Sequence, residues 1–159
     1  MTAGLRIRPY EPADLDAVVD LWYRSWHTAL PVLRHPHPIA EWRRRFREEI
    51  SQQEAVWVAE LDERLAGFLA MFEREGYVDQ LYVEPELQGR GVGTALLAQA
   101  RLISPGGLAL HALQANTAAR AFYERHGFVA GEPGTNRVNG QPNVAYRWAH
   151  RASADPLVR

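Results

Sequence analysis

Between residues 5 and 150 the spacing of apolar side chains switches repeatedly between two periods. Leu5 to Pro9 alternates at period two and predicts a strand. Glu11-Pro12 opens a helix, with Pro12 suited to its first position and Asp14 to its first turn. Leu15, Val18, Trp22, Trp26 and Ala29 then follow at steps of three and four, one apolar stripe that Pro31 ends. After a proline-rich loop, Ile39, Trp42, Phe46 and Ile50 mark one face of a second helix. "AVWVAEL" and "RLAGFLAMFERE" read as an antiparallel strand pair turning at Asp62-Glu63. Gly76 leads to a strand over Val78 to Val83. A helix over 90–103, the strand "LALHAL" and the helix "NTAARAFYERHGF" come next. In that last helix Asn116 is placed as N-cap and Gly127 just past the end. "FVAG" starts a further strand, and a Gly/Pro/Asn-rich turn over 131–143 precedes the final strand, "NVAYRWAH". The order β-α-α-β-β-β-α-β-α-β-β gives an α/β (mixed α+β) domain with helices on the faces of a mixed sheet. One domain spans 1–151, and 152–159 reads as a frayed tail.

At 159 residues the chain is long enough for one sizeable core. A net charge of −1 supplies no field favouring nucleic acid or an anionic membrane. All 18 basic residues are Arg, which removes any Lys nucleophile or P-loop Lys, and the absence of Cys removes thiolate catalysis and Cys-ligated metal. No run approaches the length of a membrane-spanning helix, and no signal pattern opens the chain. The expectation is a soluble, cytoplasmic protein with no nucleic-acid or membrane partner and no metal.

The stretch "YVEPELQGRGVGTALLAQAR" changes the picture. A strand runs through a Glu-Pro-Glu turn into Gly89, Gly91 and Gly93, and a helix follows at once. The first N–H groups of a helix lack intrahelical acceptors and carry partial positive charge. Glycine removes the Cβ atoms that would hold a ligand off, so the segment is an anion cradle suited to phosphate. The dinucleotide spacing G-x-G-x-x-G fails, because its last place falls on Thr94 or Leu96, and a Walker loop lacks its Lys. The pattern present is Q-x-x-G-x-G, Gln88 to Gly93. A glycine-rich turn with a helix cap is the plainer reading of the same residues.

"LYVEPELQGRGVGTALL" resembles the acyl-CoA-binding motif of the GNAT superfamily of N-acetyltransferases, and "NTAARAFYERHGF" resembles that family's second motif at the usual distance downstream. The resemblance covers roughly residues 5–150. It implies a GNAT-like fold whose central sheet contains a splayed strand pair, and acetyl-CoA as acetyl donor. The CoA pyrophosphate would lie on the N–H groups of Gly89, Arg90, Gly91, Val92, Gly93 and Thr94, with Gln88 in the motif and Arg90 adding charge at the rim. The pantetheine arm would pair with the strand at Leu81, Tyr82 and Val83. Related enzymes often form homodimers, and the acceptor would be a small-molecule amine or a peptide N-terminus.

Direct transfer to an amine needs a group to take the amine proton, a donor for the oxyanion and an acid for the leaving thiolate. The resemblance puts Tyr123 at the acid position. Helical geometry assigns Phe122 to the core stripe and leaves Tyr123 freer, although a core aromatic is its plainer role. Asn116 serves as N-cap, as a CoA contact, or as both. His111 stands where similar enzymes carry a catalytic Glu, and an imidazole can do that work. It can equally be a histidine packed on the sheet face. Asp79 shares a strand side with Tyr77 by period two and can hold an ammonium or a base water, or equally be a solvated carboxylate at the strand end. Glu73 is a weaker candidate for the same task.

Trp22 and Trp26 fit core packing or a substrate wall. His35 and His37 lack a nearby third ligand and read as a proline-ordered loop, which the family uses as a substrate lid. "RRRFR" adjoins Glu48 and Glu49 and reads as a solvated helix face. The rival class is a non-catalytic acyl-CoA-binding module of the same fold, which would have no need of Tyr123. A nucleotide-binding protein ranks third.

Overall fold

The computed structural model describes residues 4–149. The expected tail over 152–159 and the last residue of the final strand, His150, lie outside them. A seven-stranded mixed sheet forms in the order β1-β2-β3-β4-β5-β7-β6. Its strands are β1 (Leu5–Pro9), β2 (Ala55–Leu61), β3 (Arg64–Phe72), β4 (Tyr77–Val83), β5 (Gly107–Leu113), β6 (Val129–Thr135) and β7 (Pro142–Ala149). Every neighbouring pair is antiparallel except β4–β5.

The helices are α1 (Leu15–Ala29), α2 (Ile39–Arg45), a single turn α3 (Ser51–Gln53), α4 (Val92–Ile103) and α5 (Thr117–Arg125). Two apolar cores form, one on each face of the sheet. Val18, Trp22, Trp42, Phe46 and Ile50 pack with Val58 and Phe68 on one side. Leu96, Leu97 and Tyr123 pack with Leu69, Leu110 and Tyr146 on the other.

Several expected elements differ in detail. Ala29 is exposed, and the α1 stripe closes on Leu30. The second helix is not uniform: α2 widens into a π turn over Phe46–Ile50, which keeps Phe46 and Ile50 buried, while Ile39 is left exposed. β3 ends at Phe72 rather than running to Glu75. The helix expected from residue 90 begins at Val92. The segment expected as a turn over 131–143 is largely strand. β6 continues to Thr135 through a register break between Ala130 and Pro133, and only the tip turns. There the Asn136 Oδ1 accepts from the N–H groups of Val138 and Asn139, at 2.8 and 3.0 Å. Such side-chain-to-backbone bonding is why Asn-rich sequence looks like pure turn.

The central feature is the opening of the sheet between β4 and β5. Their parallel pairing is confined to Tyr77↔Ala109 and Val78↔Leu110. Beyond it β4 stays with β3 as far as Val83↔Gly67, while β5 follows β7 along its whole length. The register of β3 on β4 skips Asp79, since Ala70 faces Gln80 and Met71 faces Val78. An extra residue of this kind bends a strand and sharpens its twist, so β4 swings away from β5 at that point. Asp79 and Tyr77 nonetheless line the same cleft, as their period-two spacing predicts.

Candidate active site

The three glycines are required for different reasons. Gly89 and Gly91 have φ of +80° and +81°, a left-handed backbone that other L-residues enter at a cost of roughly 1–2 kcal/mol. A Cβ on Gly89 would meet nothing within 4 Å, so this part of the turn faces open space. Gly93 instead makes room for protein. A Cβ there would come within 3.2 Å of the Phe122 ring, so its role is the close packing of α4 on α5 rather than ligand access. Gly91 is the N-cap of α4, and the first intrahelical bond runs from the Ala95 N–H to the Gly91 carbonyl at 3.0 Å. The N–H groups of Val92, Gly93 and Thr94 precede that bond and have no helical acceptor. Gln88, Gly89, Arg90 and Gly91 are exposed around them. The Thr94 hydroxyl lies 3.1 Å from Nε2 of His126, which ties α4 to the end of α5.

A cleft of about 570 Å³ passes through the opening between β4 and β5. On the α5 side it meets Asn116, Ala119 and Tyr123, and on the α1–α2 side Trp22, His35 and Arg45. Leu81 and Tyr82 line it, whereas the carbonyl of Val83 accepts from the Ser25 hydroxyl at 3.1 Å. The tip of the β6–β7 hairpin, residues 136–139, closes one wall.

Tyr123 is buried and Phe122 only half-buried, the reverse of the expected packing. The two adjacent rings find different partners. Phe122 turns to Gly93 and His126, while Tyr123 packs against Phe128 and Tyr146, with ring centroids 5.4 and 6.2 Å away. The α5 helix is held there by Tyr146, whose hydroxyl donates to Glu124 at 2.6 Å and accepts from Arg120 at 3.1 Å. The Tyr123 hydroxyl has no hydrogen bond among the described residues and borders the cleft. Burial, and then the neighbouring Tyr82, push its pKa well above that of a free phenol, so it stays protonated. Asn116 caps α5 as expected, its Oδ1 accepting from the Ala119 N–H at 3.1 Å.

On the far side of the opening a polar group assembles from β4, β5 and the residue before β2. His111 is exposed on β5, so it is not packed beneath a helix, and its Nδ1 lies 2.7 Å from the Tyr77 hydroxyl. Burial, then Asp79 and Glu54, push the Tyr77 pKa up to about 12. Asp79 lines the cleft as well; Glu73 does not. Glu54, just before β2, went unrecognised in the sequence. Its Oε1 is buried without a hydrogen-bond partner. Burial, followed by the adjoining Asp79 carboxyl with which it titrates as a pair, raises its pKa to about 9.

A carboxyl whose pKa is higher folded than unfolded costs stability wherever the unfolded chain has already released the proton. Stability is therefore lost as pH rises from about 4.5 towards 9. Glu54→Gln should melt a few degrees above wild type at pH 8, with the gap closing at pH 4.5, the lower bound of that window. A variant less stable than wild type by the same margin at both pH values contradicts this.

At the other end, Trp22 and Trp42 lie 4.5 Å apart between ring centroids, with His35 4.5 Å from Trp42 and 5.1 Å from Trp26. Trp22 and Trp26 are thus both core residues and cleft wall. His35 and His37 belong to this aromatic cluster, and among the described residues no three potential ligands come together to hold a metal. The "RRRFR" face is solvated through Arg43, paired with Asp16 at 2.9 Å, and Arg44, paired with Glu48 at 3.3 Å. Arg45 breaks the expectation by pointing inward over Trp22. The Oδ1 of Asn143, at the start of β7, is also buried without a partner beside the cleft.

Residues 52–130 match the family description "Acetyltransferase (GNAT) domain". The chain is 30% identical over 129 residues to the uncharacterized N-acetyltransferase YafP of Escherichia coli (strain K12), covering 79% of this chain and 81% of that one. It is 26% identical over 128 residues to the peptidyl-lysine N-acetyltransferase YjaB of Salmonella typhimurium (strain LT2), covering 78% and 83%. The PaiA N-acetyltransferase of Thermoplasma acidophilum, solved in complex with coenzyme A, has the same fold. Its TM-score is 0.74 at 19% identity, over 91% of this chain and 98% of that one. The glycine turn before α4, the opened sheet and these relatives agree: the chain belongs to the GNAT family of N-acetyltransferases.

Proposed function

We propose that the chain moves an acetyl group from acetyl-CoA directly to a primary amine, with the donor on the α4–α5 side of the opened sheet and the acceptor on the α1–α2 side. The observation carrying this reading is the single cleft that joins Tyr123 to Asp79 and His111 through the gap between β4 and β5. The residues present suit CoA. Gly89 leaves room for a phosphate, the first N–H groups of α4 lack acceptors, and β4 has no strand partner on its β5 side beyond Val78. That acceptor of the Salmonella relative, a peptidyl lysine, is itself a primary amine.

Acetyl-CoA supplies an acetyl group activated as a thioester. Gln88 to Thr94 bind the pyrophosphate through backbone N–H groups, and Leu81, Tyr82 and Val83 guide the pantetheine arm, Val83 through its N–H because its carbonyl is occupied. Asn116 borders that arm. Tyr123 holds a proton at its hydroxyl for the departing sulfur. Asp79 positions the ammonium group, and His111, oriented by Tyr77, takes one of its protons to give the neutral amine that attacks. As the new N–C bond forms, the C–S bond breaks, Tyr123 gives its proton to the sulfur so that CoA leaves as the thiol, the second N–H proton passes to solvent, and the Tyr123 hydroxyl is reprotonated from it.

Thiol release from acetyl-CoA across a panel of primary amines tests the reading. Stoichiometric thiol and acetylated amine are expected with at least one, and CoA binding without release for every amine contradicts it. The two polar residues should separate kinetically. His111→Ala should lower kcat by roughly 10²-fold, as loss of a general base does. Asp79→Asn should chiefly raise KM, as loss of uniform binding does. Equal effects of the two on both parameters would refute this division of roles.

A further inference from the structure

Arg45 has no anionic partner, although it sits among carboxylates. Its neighbours on the helix are satisfied: Arg43 by Asp16, Arg44 by Glu48 and Glu49, and Arg47 by Glu48. Glu41, one turn earlier and the natural i,i+4 partner of Arg45, is taken by Nδ1 of His37 at 2.7 Å. Among the described residues Arg45 makes no hydrogen bond or ion pair, and its guanidinium lies 5.7 Å over the Trp22 ring, where it lines the cleft. Glu54, whose carboxyl feels the charge of Arg45, forms no ion pair with it among the described residues.

Beside Arg45 stands a second unused donor. The Nδ1 of His35 accepts from the N–H of His37 at 3.1 Å, which puts the ring proton on Nε2. Burial, followed by the charges of His37, His27 and Arg45, lowers the His35 pKa to about 4, so the ring is neutral. A cationic fork and a neutral N–H therefore share one end of the cleft without an acceptor from the protein. Trp22, Trp26 and Trp42 form apolar walls around them, and Asp79, which adjoins the Glu54 carboxyl that also feels the charge of Arg45, lines the same cleft. Planar guanidinium binds carboxylate through paired hydrogen bonds, and an aromatic wall favours a flat apolar body.

We propose that the acceptor is an amine that also carries a carboxylate and a flat apolar body, as an aromatic amino acid does. Its carboxylate is held by Arg45 and His35, its ring lies against the tryptophans, and its ammonium is directed to Asp79. A second positive charge on the acceptor is disfavoured by Arg45. This inference rests on the transferase reading for the reaction but not for binding.

The test compares tryptophan with tryptamine and phenylalanine with phenethylamine, alongside a peptide with a free lysine side chain and a blocked N-terminus. Two readouts are taken: thiol release with acetyl-CoA, and calorimetric binding to the CoA-loaded protein. The carboxylate-bearing member of each pair should be preferred about tenfold or more in kcat/KM and in affinity, the scale of one charge-assisted pair in a partly exposed cleft. Arg45→Gln should abolish the preference with CoA affinity unchanged, and Arg45→Lys should restore part of it. Equal or reversed preference within the pairs, a better response to the lysine peptide, or a preference that survives Arg45→Gln overturns the proposal. Preferential binding of the amino acids without any acetylation upholds the anchor and defeats the transferase reading instead.

Discussion

Tyr123→Phe should lower kcat by roughly 10²–10⁴-fold while leaving the affinity for CoA nearly unchanged. The substitution removes one oxygen and keeps the ring that packs against Phe128 and Tyr146. No hydrogen bond within the protein is lost, because the hydroxyl has none among the described residues and borders the cleft. A stability loss is therefore not expected, and a changed rate reports on the reaction. The raised pKa of Tyr123 makes it a weaker acid than a free phenol but ensures that the proton is present. The loss should fall on kcat rather than KM, as for an interaction made chiefly in the transition state. Steady-state kinetics with CoA calorimetry on the folded variant decide this. Unchanged turnover removes Tyr123 from the mechanism, and a parallel loss of CoA affinity makes it a binding residue.

The second large effect is expected at Gly89. Its φ of +80° would strain most side chains, but Asp and Asn enter this region more readily than other residues. Nothing lies within 4 Å of the added Cβ, so either side chain fits. Gly89→Asp places a negative charge where the pyrophosphate is proposed to bind, and Gly89→Asn places a neutral side chain of the same shape there. CoA affinity should fall by about 10²-fold with Asp and by much less with Asn, because a like charge across a binding site costs several kcal/mol. The gap should narrow as salt is added. Equal affinities for the two variants would put the phosphates elsewhere.

What the sequence made legible was local chemistry. Asn116 and Gly127 bracket a helix because one side chain caps it and the other residue accepts a φ of +87°. The glycines before α4 announce a turn because only a few residues tolerate that backbone. Features that depend on distant contacts stayed hidden. The π turn at Phe46–Ile50 leaves the apolar spacing almost intact, so nothing in the pattern betrays it. The skipped register at Asp79 is a property of the β3–β4 pair rather than of β4 alone. Glu54 gains its meaning from Asp79, which only the folded sheet brings near. Arg45 did leave a trace: it stands three residues after Trp42 and directly before Phe46, a charge at the edge of a buried stripe. Helical periodicity finds one core face and puts Phe122 on it, whereas α5 packs on both α4 and the sheet and buries Tyr123.

The central claim is that acetyl-CoA enters the opened sheet with its phosphates at the start of α4 and its sulfur at Tyr123. A crystal structure of the full chain with CoA bound measures this directly. The pyrophosphate oxygens are expected within hydrogen-bonding distance of the backbone N–H groups between Gly89 and Thr94, and the sulfur beside the Tyr123 hydroxyl, in the gap between β4 and β5. Phosphates seated away from that turn, or a sulfur beyond reach of Tyr123, would contradict it.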